Sequence, residues 1–339
     1  MKNRILSGIT ILSFLSFLAK AQTGEQILKQ KIDSIKMAAL SEYAIKYPRL
    51  RQGFIATDII GEADIKAELN GKDVYEGRAQ MTRIRSNINI PFSQWGRNSI
   101  SGSISYQQQR FQVGELVNKD PEFTAPEMTT TKSTLGFTAT YIRSDSLLNR
   151  PVYYSGSISG LTDELSSIKR LTYFGSITMP VKRTQNTMLT AGLAIILDPS
   201  SPIPAFPIIS YWHKYNYAGL ELFIDMPSRI VLHKRFTRKS WATIGTEMGN
   251  SYAFFNLNQP QLPQNAVYST MEFRSGASFE YLATKKLVLG VNGGLFTTAT
   301  SRMFDRNKKP DDYFIKTKTG SVPYLSFSAS YLPFLKSRK

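Results

Sequence analysis

The chain has 339 residues, with 42 Lys and Arg against 25 Asp and Glu, a formal net charge of +17, two His and no Cys. That length fills one large domain or two ordinary ones, and 42% hydrophobic residues excludes wholesale disorder. The absence of Cys removes disulfide scaffolds, thiolate zinc sites, iron–sulfur clusters, cysteine nucleophiles and a lipidated-cysteine anchor, and two His leave little room for a histidine metal cage. The charge points first to nucleic acid, a reading that depends on where the charges sit. Against it, 17 Tyr, 20 Phe and 22 Gly, with abundant Ser and Thr, favour strands.

The first element is an export signal over residues 1–21. Lys2 and Arg4 form a short positive region, Ile5 to Leu18 is mostly apolar, and Ala19-Lys20-Ala21 fits small-x-small cleavage. The apolar run is short for a spanning helix. Export removes three positive charges, Lys2, Arg4 and Lys20, and takes the chain away from nucleic acid. Residues 22–59 read as a periplasmic extension. Within it Ile27, Leu28, Ile32, Ile35, Met37, Leu40 and Tyr43 fall near helical spacing over 25–44, and Pro48 stops the pattern.

From about residue 60 the period changes to two. Ile84, Ile88, Ile90 and Phe92 alternate with Arg83, Arg85, Asn87 and Asn89. Leu135, Phe137, Ala139 and Tyr141 alternate with Thr and Gly, and Met271, Phe273, Ala277, Phe279 and Tyr281 with Glu272, Arg274, Ser278 and Glu280. The last segment, 315–334, sets Leu325, Phe327, Ala329 and Tyr331 against three serines. Fourteen such segments are readable, the weakest at 60–69, and twelve is the lower count. Short turns near 94–97, 183–186, 237–239 and 284–285 alternate with longer polar stretches at 114–132, 256–267 and 302–312.

This is the pattern of an all-β, transmembrane, antiparallel up-and-down β-barrel over 60–334, with a short N-terminal helix and a basic tail at 335–339. A soluble sandwich also alternates, but here the polar face carries charges a lipid-bounded barrel would hold inside. The candidate inner polar network is Arg83, Arg85, Glu221, Glu247, Glu272, Arg274 and Glu280. It either fills a narrow barrel with satisfied charges or lines a conduit that biases solute charge. Aromatic residues near segment ends, Trp95, Tyr106, Tyr211, Trp212, Tyr217, Trp241, Tyr331 and Phe334, are candidates for the interfacial girdles.

The stretch Tyr217 to Tyr252 contains Leu220-Glu221-Leu222, Pro227-Ser228, Arg229-Ile230 and Trp241, then Gly245 to Tyr252. It resembles a family of uncharacterised outer-membrane β-barrel proteins of Bacteroidetes, in which an aliphatic-Pro step precedes an Arg-led strand, a tight turn and a Trp-led strand. The resemblance covers roughly 60–334 and implies an outer-membrane location with no assigned chemistry. The tail after Phe334 departs from a typical barrel end.

No P-loop, HExxH, EF-hand or G-x-S-x-G pattern is present, so no catalytic residue, metal or cofactor is expected. His213, between Trp212 and Lys214, and His233, in the segment 229–237, read as structural or interfacial. Basic pairs such as Lys234-Arg235, Arg238-Lys239, Lys285-Lys286 and Lys308-Lys309 sit at turns, where they suit lipid headgroups better than nucleic acid. The expected partners are outer-membrane lipid including lipopolysaccharide, the barrel-assembly machinery during biogenesis, and an envelope-complex protein. The expected function is a passive channel for small solutes. The alternative is a non-enzymatic accessory subunit of a larger secretion, assembly or export complex.

Overall fold

The computed structural model describes residues 24–335 except 122–125, 148, 199–203, 258 and 260–261. The expected export signal at 1–21 and residues 336–339 of the expected tail lie outside the described residues. Helix α1 (Gly24–Lys46) and a 3-10 turn at Pro48–Leu50 lead into β1 (Gly53–Leu69), β2 (Lys72–Trp95), β3 (Asn98–Asn118), β4 (Met128–Leu147), β5 (Arg150–Thr162), β6 (Arg170–Arg183) and β7 (Thr187–Leu197). Then come β8 (Ala205–Lys214), β9 (Leu220–Met226), β10 (Arg229–Arg235), β11 (Ser240–Asn256), β12 (Asn265–Leu282), β13 (Leu287–Asp305), β14 (Tyr313–Thr319) and β15 (Val322–Tyr331).

Each strand from β2 to β14 pairs antiparallel with its predecessor, and the sheet closes on β1. β14 and β15 share one place in the ring. β14 lies between β13 and the far end of β1, with Ile315–Thr319 opposite Ile65–Leu69. β15 lies between the same two strands at the other end, with Tyr324–Tyr331 opposite Gly53–Ile60. The ring of described strands therefore has fourteen positions, and the segment expected at 315–334 is one strand interrupted at Gly320-Ser321.

The first strand begins at Gly53, seven residues before the expected start at 60. Its early part has apolar residues on both faces: Ile55 and Ile59 are exposed outward, while Ile60 is buried inward. Two adjacent isoleucines on opposite faces hide the period of two.

Around the ring the outward positions are apolar and exposed, among them Ile59, Ile104, Phe137, Ile158, Ile177, Leu193, Ile209, Ile230, Ile244, Phe279, Val291 and Phe327. The inward positions of β1, β2, β11 and β12 are polar and buried, among them Asp58, Arg83, Ser251 and Glu272. This inverts the usual distribution of a soluble protein.

β1 begins and β15 ends at one rim, the near rim, where turns are short. The far rim carries longer connections, among them the loops at 163–169 and 306–312. Two far connections are tight. Asn70 and Gly71, with φ of +50° and +83°, form a two-residue hairpin turn between β1 and β2, and Pro227-Ser228 joins β9 to β10.

The wall is uneven in height. β2 has 24 residues, whereas β9 and β10 have seven each. β10 pairs with β11 only over Trp241–Glu247, so the far part of β11 has a free edge. That edge crosses the lumen to β3 and β4: the Tyr252 carbonyl accepts hydrogen bonds from Thr134 Oγ1 at 2.9 Å and Gln109 Nε2 at 3.3 Å. An unpaired edge carbonyl in the interior is costly, and these side chains satisfy it.

The far half is thus a narrower ring of eight positions, from β11 through β14 and β1 to β4. Rings of that size are filled by their own side chains. Behind the crossing, Phe254, Val267 and Phe304 form a buried cluster joined by Leu161, Tyr252 and Tyr313.

The inward lean coincides with glycines in register across β11, β12 and β13, Gly245 opposite Gly276 and Gly276 opposite Gly294. A Cβ on Gly276 would lie 2.1 Å from the Gly293 carbonyl oxygen, and one on Gly245 2.2 Å from that of Ile230. Only glycine permits backbones this close.

Candidate functional site

The lumen face holds two tiers of ion pairs. In the upper tier Arg83 clasps Glu272 with two bonds of 2.7 Å, and both side chains are at most 3% exposed. Thr270 and Ser251 hydroxyls donate to the same carboxylate at 2.6 and 3.1 Å. Beside it Arg85 donates to both oxygens of Asp58 at 2.7 and 2.9 Å, and Ser326 adds a third bond at 2.7 Å. Arg274 reaches to 3.9 Å from Asp58 and is opposite Glu247 across β11 and β12. Paired, multiply hydrogen-bonded charges are the form in which burial is tolerated.

The lower tier joins the barrel to the segment after α1. Lys46 Nζ donates to Glu221 at 2.6 and 3.0 Å, and Trp212 Nε1 donates to the same group at 2.7 Å. Arg51 clasps Glu280, with Nη2 at 2.9 Å, and Trp241 Nε1 donates to Glu280 at 2.6 Å. Ala44 and Ile45 are buried against Trp241, Val288 and Leu332.

Tyr47 meets Phe223 edge-on at 5.5 Å, and the Arg229 guanidinium lies 4.9 Å from the Tyr47 ring centre. Burial, with Tyr43 next to it, pushes the Tyr47 phenol above its ordinary range, so it stays neutral. At the rim Glu42 pairs with Arg235 at 2.7 Å, and Lys286 donates to the Ser41 hydroxyl and the Pro333 carbonyl. The C-terminal turn of α1 thereby sits in the near mouth. Two of the basic pairs expected to face headgroups, Lys234-Arg235 and Lys285-Lys286, each give one cation to holding it.

All seven expected network residues thus lie on the lumen face. Arg83, Arg85, Glu247, Glu272 and Arg274 gather in the upper tier, and Glu221 and Glu280 in the lower. Their partners Asp58, Arg51 and Lys46 lie outside the expected network, because an alternation that starts at residue 60 leaves the first residues of β1 and the segment before it in the extension. The alternation of Ala56, Asp58 and Ile60 with Ile55, Thr57 and Ile59 carries the missing sign.

Two girdle expectations are corrected. Trp241 is fully buried and Trp212 lies opposite Phe223 in register, both facing inward on carboxylates. Their strand parity places them with the glutamates, not with the outer isoleucines. Trp95, Tyr106, Tyr211, Tyr217, Tyr331 and Phe334 are exposed or partly exposed on the outer surface or near rim.

His213 shares a 2.9 Å bond with Thr187 between Tyr211 and Tyr215, and His233 is buried against Thr243 and Phe223. No group of three or more His, Cys, Asp or Glu placed to hold a metal occurs among the described residues.

No family model and no curated protein matches the chain. The short motif behind the Bacteroidetes resemblance, Met226-Pro227 before Arg-led β10 and Trp241 at the second position of β11, is thus matched by no family model. Among solved structures, the chain is similar to an outer membrane channel from Pseudomonas putida F1, at 8% identity and a TM-score of 0.34 over 83% of this chain and 96% of that one. It is similar also to a FadL homologue of Pseudomonas aeruginosa, at 9% identity and a TM-score of 0.29 over 83% and 90%. A third is the outer membrane protease OmpT from Escherichia coli, at 9% identity and a TM-score of 0.23 over 83% and 97%. A channel, a FadL homologue and a protease together pass on no activity, and at these TM-scores the fold rests on the strand pairing described above.

Proposed function

We propose that the chain is a bacterial outer-membrane β-barrel closed to solute flow, acting without catalysis as an accessory subunit of a larger envelope complex. The observation that carries this is the burial of the lumen-facing charges, Asp58, Arg83 and Glu272, with α1 seated below them. A water-filled passage along that wall would leave them wet. The membrane location is supported by the closed ring, in which every strand has a neighbour on each side, and by the exposed apolar outer face. The accessory role is supported by α1, whose Ile32, Ile35 and Leu40 are exposed at the near rim, on the periplasmic side.

Single-channel recording in planar bilayers tests the closure. Folded full-length protein is expected to give no conductance steps, and reproducible steps would favour the channel reading. A photo-reactive residue at Ile35 tests the role: one discrete cross-linked protein in intact cells is expected, and a barrel that remains free throughout would refute it.

A further inference from the structure

At the far rim a cavity of about 300 Å3 opens between the start of β6 and the far ends of β12 and β13. Val267 and Phe304, both buried, form its floor. Lys169, Arg170, Arg306 and Lys308 stand on its walls with one carboxylate, Asp198.

That carboxylate is already engaged, accepting from Arg170 Nη2 at 2.7 Å and Thr172 Oγ1 at 2.8 Å. Arg170 also lies 4.4 Å from the Tyr252 ring centre, and Lys169 pairs with Glu164. Arg306 and Lys308 have no ion-pair partner among the described residues. No acid of their own loop pairs with them among the described residues: Asp305 accepts from the Asn307 amide, Asp311 pairs with Arg302, and exposed Asp312 forms no ion pair.

Two uncompensated cations on one concavity repel each other, and an anion between them relieves that repulsion. A dianion with several oxygens matches two separate donors, one of them a guanidinium fork, better than a single carboxylate does. We propose that this cavity binds a phosphate ester, with its oxygens on Arg306 and Lys308. The phosphate belongs either to a lipid headgroup of the surrounding leaflet or to a free sugar phosphate. The site is separate from the lumen ion pairs and does not depend on whether the lumen conducts.

The test is equilibrium binding to the folded full-length chain in phosphate-free detergent. The probes are glucose 1-phosphate, glucose, and lipid A with and without its phosphates in mixed micelles. At least one phosphorylated probe is expected to bind, its unphosphorylated counterpart is not, and added salt should weaken the binding. The variant R306Q/K308Q should lose roughly a hundredfold in affinity, since it removes two charge-assisted contacts each worth about tenfold. K182Q/R183Q, at the opposite rim, should bind as the parent does.

Both variants alter exposed or partly exposed side chains, and a heat-dependent shift in gel migration confirms that each is folded. Binding of lipid A alone assigns the headgroup source, and comparable binding of glucose 1-phosphate assigns the free solute. Failure of both phosphorylated probes to bind, or equal affinity in R306Q/K308Q, overturns the proposal.

Discussion

At the scale of single residues, the interior and exterior make opposite demands. Arg83→Ala strands the Glu272 charge in the upper tier and should cost about 3–5 kcal/mol, read as a lower urea midpoint in vesicles. The double change R83M/E272L removes both charges and should recover most of that loss, because a buried pair is replaced by packing. On the outer face, Ile104→Arg should cost about 2–4 kcal/mol if lipid covers the strand centre. In a water-facing sheet the same change should fall within about 0.5 kcal/mol of neutral, so one midpoint separates the two environments.

The charged residues themselves were readable in the sequence because alternation assigns a face. Their pairings were not, since Arg83 and Glu272 are 189 positions apart and only ring closure joins them. Trp212 and Trp241 show how residue type can mislead where parity does not. Tryptophan suits an interface, but each of these was already on the same face as the glutamate it bonds.

At the scale of elements, the glycine row fixes how β11 to β13 approach one another. Gly276→Val brings a side chain within 2.1 Å of a neighbouring carbonyl and should destabilise by at least the ~1–3 kcal/mol of ordinary overpacking. Gly156→Ala on β5 meets nothing within 4 Å and should be near neutral in the same unfolding measurement. The strands were legible one by one, because a half-covered face imposes its period on the sequence. The inward lean was not, because it comes from β10 ending after seven residues and leaving its neighbour without a partner. A short strand reads in sequence as weak patterning, not as a change in the cross-section.

For the whole molecule, two independent barriers stand in series: α1 in the near mouth and the eight-position ring beyond it. Deleting Gly24–Lys46 should therefore leave planar bilayers silent while lowering stability through loss of the Ala44–Ile45 contacts. Conductance that appears only in the deletion would make α1 the sole closure. Fourteen ring positions alone suggest a roomy lumen. The filled interior depends on how tall each wall is, and height follows from pairing between distant segments.

The shared place of β14 and β15 has a consequence for how the chain reaches this form. Each hairpin along the ring joins neighbours in sequence, but Asp58 and Ser326, on the two sides of the seam, are separated by 268 positions. Contacts of that span carry the largest loop-closure entropy and form late. Arg51, which bonds Ser330 of β15 as well as Glu280 of β12, can complete its set only once the seam has met. Seating of α1 is therefore coupled to cyclisation of the sheet, and a barrel stalled before its last strand would leave the helix undocked.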